Sequence, residues 1–470
     1  MPKRSQIFRL LPLGLVAAAA SLAPSTAHAS GYLAARFGSD YGTPAMANPY
    51  AVYFNPAAMG GTTGTQLTGD LSLLIRHASY TRPASALSPN ASNPTDANYA
   101  ASNTGTAKLN NLIGLPFLGV TSDLGTKNFR AGYAFYIPFG GQASWDKREG
   151  LNSSLPGAVD GPQRWHNISG IIVAAYNTFA ASYTIPSARL SFGASVSPII
   201  HHVSTVRARN SDGSDDTNAG STNIEGRSLI QATGVNLGAA AGVYWEAIPN
   251  RLNLGLSYTS QPGFGETRMK GTLSTRLGTQ PGVSKSDIDF LQEYPDIIRF
   301  GSVLKISEKA DLRADFEYVR WSTFKNQCVV ARGKDCNVNA AGGQAGNDVI
   351  INIPRNWKDA VGFRIGPGYK VAEKTDIFGS LGFTTPAVPK STIDSSTIDA
   401  FRIYIAAGVR HELSKHVALA GSYNHIAFLN VDSTNEAQQF KFQAPSKSPS
   451  GGGIYKSQVG LINVNVTYSF

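Results

Sequence analysis

Residues 461–470 read LINVNVTYSF. Ile462, Val464, Val466, Tyr468 and Phe470 alternate strictly with Asn463, Asn465, Thr467 and Ser469. Successive side chains of a strand point to opposite faces, so a strand here has one apolar face and one polar face. A soluble domain could bury such a strand. In a secreted, Gly-rich chain, a final strand ending on Phe instead suits the closing strand of an outer-membrane barrel, apolar side to lipid and polar side to lumen. The expected fold is all-β, a closed antiparallel transmembrane barrel.

The other end agrees. Lys3 and Arg4 precede a mostly apolar run from Leu10 to Ala20, too short to span a bilayer, and Ala27-His28-Ala29 offers small residues where a signal peptidase reads. Residues 1–29 are therefore expected to be a cleaved signal peptide. No later stretch approaches the roughly 18 apolar residues that a transmembrane helix needs. With 48 Gly, 19 Tyr and 22 Phe but 2 Cys and 4 Met, and a mean hydropathy of −0.13, the chain carries its apolar residues dispersed, as barrel strands do. The net charge of +10 includes Lys3, Arg4 and Arg9, and the remaining basic residues are scattered without a cluster. That argues against nucleic acid and for attraction to anionic lipid headgroups.

Period-two alternation gives fourteen candidate strands near 66–81, 112–124, 128–141, 166–184, 188–207, 226–247, 250–266, 292–307, 309–323, 355–372, 374–386, 397–413, 415–430 and 456–470. An even total closes a bacterial barrel. Short connections such as Ile185-Pro186-Ser187 and Leu413-Ser414-Lys415 alternate with long polar ones, including 82–111, 208–225, 267–291 and 324–354. Tight periplasmic turns and long extracellular loops are thereby expected, with both chain ends periplasmic. Residues 210–223 (NSDGSDDTNAGSTN) read as a mobile loop with no packing role. The leftover segment 30–65 is expected to be an N-terminal hatch plugging the lumen of a barrel formed by 66–470.

At this point the residues resemble the FadL-type outer-membrane transporters of long-chain fatty acids and other hydrophobic compounds, including TodX-like aromatic hydrocarbon channels. Asn55-Pro56-Ala57 matches the family's hatch motif, Tyr318 to Phe324 its aromatic-Trp-Ser strand end, and Asn356-Trp357-Lys358-Asp359 its Asn-Trp-x-Asp strand. Thr385-Pro386-Ala387-Val388-Pro389 resembles its Pro-rich strand exit. The resemblance implies a monomeric fourteen-stranded barrel with a hatch, taking up fatty acids or aromatic hydrocarbons passively across the bacterial outer membrane. Its partners would be those hydrophobic molecules and outer-membrane lipids.

Each candidate site has a plainer reading beside it. Asn55, Pro56 and Ala57 are a hatch element or an ordinary Asn-Pro turn. Arg299 and Arg364 fall midway along the polar faces of their strands, with Arg402 nearer the outside, where each could meet a fatty-acid carboxylate. The tight turn at Glu308 also sets Arg299 opposite Glu317, so a cross-strand ion pair competes with that role. Pro138, Gly140 and Gly141 interrupt the third strand; they mark a strand rim or, as the resemblance implies, a kink that opens the wall sideways. Cys328 and Cys336 are expected to form a disulfide in one external loop. No His lies near them, no metal or other cofactor is implied, and no catalytic motif is present. A structural or adhesive barrel remains an alternative, as does an outer-membrane lipase or deacylase with His166 or His425 as partner of a serine. His201-His202 reads as an interfacial pair.

Overall fold

The structure, a computed structural model, describes residues 37–89, 97–148, 157–219, 222–278, 280–437 and 439–470. The expected signal peptide and the first residues of the expected hatch lie outside these.

One sheet carries eighteen strands longer than two residues among the described residues. They are β1 (Thr65–Arg82), β2 (Gly105–Ser122), β3 (Phe129–Ser144), β4 (Ser169–Ile185), β5 (Leu190–Arg209), β6 (Gly226–Ile248), β7 (Leu252–Thr259), β8 (Glu266–Arg276) and β9 (Ser284–Glu293). There follow β10 (Ile297–Lys305), β11 (Ala310–Val319), β12 (Asn326–Ala331), β13 (Val349–Pro354), β14 (Ala360–Ala372), β15 (Thr375–Thr384), β16 (Arg402–Glu412), β17 (Val417–Phe428) and β18 (Ile454–Ser469). Fourteen of them, β1–β7, β10, β11 and β14–β18, form the antiparallel wall, and β18 closes it on β1 from Gln66↔Ser469 to Thr81↔Ile454. The opening sequence behaves as its alternation demands: Ile462, Val464, Val466 and Tyr468 are exposed on the outside while Asn463 is fully buried inside. Exposed apolar side chains such as Leu71, Phe179, Val196, Leu256, Phe300 and Ile405 continue this lipid-facing band around the wall. Tyr183, Phe192, Trp245, Tyr369 and Tyr468 gather near the short turns, where an aromatic girdle belongs.

Two expectations need correction. The segment 267–291 is largely strand and 324–354 carries a strand at each end: β8 pairs with β6 and β9, β9 with β12, and β12 with β13, extending the wall beyond the membrane. β8 buries one face, through Met269 and Leu273, whereas β9 and β12 bury consecutive residues on both faces, 288–292 and 327–330; Lys270, Lys285 and Asp287 face water. Lacking the outward apolar face of a lipid-exposed strand, they read as loop. Pro262 and Pro295 lie in breaks between the lower and upper strands, and Pro354 ends β13 before a third, each removing a ladder donor. The second correction concerns 210–223, within which Ser214 and Asp215 are fully buried. Asp215 accepts from Arg82 at 2.7 Å and from the backbone N–H of Ser88 at 3.0 Å, so this stretch packs because the buried guanidinium requires a counter-charge.

Residues 37–64 lie inside the ring, folded into α1 (Ala51–Phe54) and two 3₁₀ turns, Ser39–Tyr41 and Pro56–Gly61. A Cβ at Gly193 would sit 2.2 Å from the Ala57 nitrogen, and one at Gly255 2.0 Å from the Pro44 oxygen. The wall therefore needs glycine where the backbone of this segment touches it.

Candidate functional site

Asn55 is fully buried and uses its whole amide. Its Nδ2 donates to the carbonyls of Pro44 (2.9 Å) and Val243 (3.0 Å), and its Oδ1 accepts from the N–H of Ala57 (3.1 Å). Pro56 follows as the first residue of the 3₁₀ turn, where a missing N–H costs nothing. The motif thus ties two turns of the segment to β6.

Two of the three arginines singled out in the sequence serve the same segment. Arg364 donates to Asp315 from Nε (3.0 Å) and Nη2 (2.5 Å), and to Asp40 Oδ1 (3.2 Å) and the carbonyls of Ser39 (3.0 Å) and Gly42 (2.8 Å). Arg299 stands opposite Glu317 in the ladder, donates to it at 2.8 Å, and donates to the Tyr53 hydroxyl at 2.9 Å. Both line a small cavity beside Pro44 and Phe54, but they enter it already paired. Arg402 is remote from them, with its guanidinium carbon 5.8 Å from the centroid of the Phe428 ring. Cys328 and Cys336 are joined as a disulfide at the edge of β12, Cα atoms 6.0 Å apart.

A second cavity lies higher in the lumen. Ile172 of β4, Val203 of β5, Ile230 of β6, Phe290 of β9 and Ile353 of β13 give it an apolar body. Its polar end holds Arg207, His166, Asn167, Ser228 and Arg355. Arg355 is occupied by Asp394 (2.9 Å) and Gln327 (2.7 Å). Arg207 differs: it is buried, its Nε has no hydrogen-bond partner, and no ion pair reaches it among the described residues. His166 Nε2, Asn167 Oδ1 and Ser228 Oγ are likewise buried and unsatisfied. Four such atoms lining one cavity mark a place for a polar ligand group or ordered water. Burial holds the loop residue His166 down to about 4 despite Asp394 at 3.8 Å, with Arg82, Arg207 and Arg355 further disfavouring its charged form. Burial alone would raise Asp394, but Arg355 and His166 together with hydrogen bonds from Ser396 and Gln439 outweigh it and hold that carboxyl well below its usual range. Of the two guanidiniums lining the cavity, Arg207 is thus the one without a direct ion pair among the described residues, although the Asp394 charge acts on it from a distance.

The hydrogen-bonded wall is interrupted beside this cavity. The β2–β3 ladder runs only from Phe117↔Tyr136 to Ser122↔Ala131, so Gly105–Pro116 pairs with β1 alone. At Ile137-Pro138 the β3–β4 register slips by one residue, and Gly141, just above the slip, lines the cavity. The gap ends where Asn111 Nδ2 donates to the Gln142 carbonyl (2.8 Å) and the Asp146 N–H to the Lys108 carbonyl (3.0 Å). Below the cavity, rings form a continuous column: Trp321 and Tyr294 meet Phe139 (6.2 and 5.3 Å), Phe139 meets Tyr176 (6.2 Å), and Tyr176, Tyr136 and Tyr53 continue to the N-terminal segment (5.4 and 4.8 Å). His201 faces into this column beside Tyr294 (5.2 Å), fully buried, so only His202 occupies the exposed position expected of both.

The family model for outer membrane protein transport proteins of the OMPP1/FadL/TodX type matches residues 14–470. The chain belongs to this family. The FadL/TodX family is one of outer-membrane transport proteins, and the barrel belongs in that membrane. Among solved structures, a FadL homologue from Pseudomonas aeruginosa superposes with a TM-score of 0.72 at 15% identity, covering 95% of this chain and 100% of its own. The toluene transporter TodX of P. putida gives 0.61 at 15% identity, covering 90% and 94%; the toluene transporter TbuX of Ralstonia pickettii gives 0.59 at 14% identity, also covering 90% and 94%. These likenesses concern the fold. A putative outer membrane protein of Neisseria meningitidis serogroup B is 24% identical over 177 residues, so the match spans about a third of that relative's length (36%) and 37% of this chain.

Proposed function

We propose that this family member is a passive channel for hydrophobic molecules with an anionic head, of the fatty-acid type. The observation that carries the reading is Arg207, a buried guanidinium with no direct ion-pair partner among the described residues, at the polar end of an apolar cavity. A carboxylate there gains charge-assisted hydrogen bonds in a desolvated site, and an acyl chain gains about 0.8 kcal/mol for each methylene it buries. Residues 37–64 act as the hatch, docked by Asn55, Arg299 and Arg364. The gap above Phe117↔Tyr136, set by Pro138 and flanked by Gly140-Gly141, serves as the lateral exit.

A second reading, a neutral aromatic hydrocarbon, is favoured by the ring column below the cavity. Arg207→Gln separates the two. Binding of a long-chain fatty acid should fall at least about tenfold, because a charge-assisted bond contributes about 1.5–3 kcal/mol. Toluene uptake should change by less than about twofold. Equal binding of the fatty acid to parent and variant would refute the carboxylate role.

A further inference from the structure

The lipid-facing wall also carries a basic patch on its outside. On β2, β1 and β18 the outward positions form level rows, fixed by register. Two of the apolar rows are Pro116–Leu71–Val464 and Gly114–Leu73–Ile462, followed upwards by Leu112–Ile75–Gly460. Directly above these the character changes. The next row is Asn110–His77–Gln458, and the one above it Lys108–Ser79–Lys456. The change falls at the extracellular edge of the hydrocarbon, because the short turns and both ends of the barrel are on the opposite side.

We infer that this patch binds the phosphate groups of an outer-leaflet phosphorylated glycolipid. Adjacent strands lie about 4.8 Å apart, so the Cα atoms of Lys108 and Lys456, flanking Ser79, stand about 10 Å from each other. Two flexible ammonium groups at that spacing can converge on one phosphate while Ser79 and His77 offer further hydrogen bonds. Neither lysine has a carboxylate within 4.0 Å among the described residues, whereas Arg320 on the same outer surface is held by Asp296 at 2.7 Å. The bordering carboxylate, Asp146, accepts from Asn110 at 2.8 Å. The patch also has depth. The β17–β18 ladder stops at Ala427↔Gln458, and a crevice opens there between Lys456, Lys108, His77 and Phe428. A lipid whose phosphate sat in the crevice would lay its acyl chains on Leu112, Ile75, Leu73 and Ile462, all facing outward. Charge above and apolar surface below match a phosphorylated lipid and fit neither a free anion nor a soluble acidic peptide.

The test uses the full mature protein in nanodiscs, with bis-phosphorylated lipid A as probe and native mass spectrometry counting retained lipids. A lysine near a membrane surface contributes about 1 kcal/mol, so Lys108→Gln with Lys456→Gln should weaken retention roughly thirtyfold, less at high salt. Dephosphorylated lipid A should bind parent and variant alike. Lys309→Gln with Lys374→Gln, in periplasmic turns, should leave retention unchanged. Heat-modifiable gel mobility establishes that each variant is folded. The proposal is overturned if the Lys108/Lys456 variant retains phosphorylated lipid A as the parent does, if dephosphorylated lipid A shows the same loss, or if inorganic phosphate at equal concentration displaces the lipid.

Discussion

Arg364→Met tests whether the arginine legible in the sequence receives a substrate or holds the proposed hatch. The substitution keeps most of the side-chain volume and removes five hydrogen bonds, two to Asp315, one to Asp40 and two to the carbonyls of Ser39 and Gly42. Asp315 would keep the Thr43 hydroxyl at 2.5 Å and Asp40 the Ser380 hydroxyl at 2.7 Å, but neither would keep this cation. Removing one partner of a buried ion pair costs about 3–5 kcal/mol. The wall's own ladders are untouched, so the loss falls on docking of the segment and raises its undocked population about a hundred- to several-thousand-fold. Ala45 is fully buried within the segment, so Ala45→Cys reports undocking through its rate of thiol labelling in intact vesicles. Labelling should accelerate by at least a hundredfold, and planar-bilayer conductance should become noisy. Adding Asp315→Asn and Asp40→Asn should recover part of the loss by removing the stranded charges. Uptake of a fatty acid and of a neutral hydrocarbon should shift together. Unchanged labelling, or a defect confined to the fatty acid, would refute the anchoring role and return Arg364 to substrate binding.

Three further outcomes are expected. Deleting 37–62 should leave a heat-modifiable barrel but raise small-ion conductance, whereas conductance at the intact level would show that the segment is no plug. Pro138→Thr with Gly140→Val should restore ladder bonds between β2 and β3, since a Cβ at Gly140 meets nothing closer than 3.5 Å. Uptake should then drop while equilibrium binding in the cavity persists; unimpaired uptake would point to release through the hatch. Lowering pH should loosen the extracellular cluster. His166 is held near 4 when folded and titrates near 6.5 when exposed, so the unfolded cluster binds more protons between those values. The stabilisation is complete above about pH 6.5 and is lost as pH falls toward 4, up to about 3 kcal/mol, while Asp394 stays ionised beside Arg355. Limited proteolysis of the loops from pH 7.5 to 4.5 should show this and His166→Gln should flatten it; a flat profile in the parent would count against it.

The wall was legible because lipid imposes a period of two on every strand that meets it. Leu256, Phe363, Ile405 and Val464 mark outward faces that the register reproduces. The extracellular strands were not, since water on one side permits Lys270 or Asp287 where lipid would demand an apolar residue. Arg299 opposite Glu317 could be read from turn length, but not Tyr53 as its other partner, 246 residues away in sequence. Arg207 stood on the inward face of its strand with His201 and Val203, no different in pattern from Arg364. What separates them is the company each keeps: Asp40 and Asp315 converge on one, and no ion pair among the described residues reaches the other. Such convergence arises from chain segments that only folding brings together.

The position of residues 37–64 inside the ring has a consequence for how the molecule is made. Ser39 bonds Arg364 across 325 residues of sequence, Asp40 bonds Ser380 across 340, and Asp70, which holds Gly38 and Tyr50, is met by Asn463 from the last strand. These are among the least local contacts a chain of this length can make, and none can form until distant strands are in place. Yet the segment is synthesised before any strand of the barrel. It must therefore wait as an unpartnered stretch while the sheet grows, and be enclosed when β18 zips onto β1. Closure of the ring and burial of the segment become one late event, so a lesion at Asp70 or Asn463 should stall biogenesis as an open sheet instead of yielding an empty, finished pore.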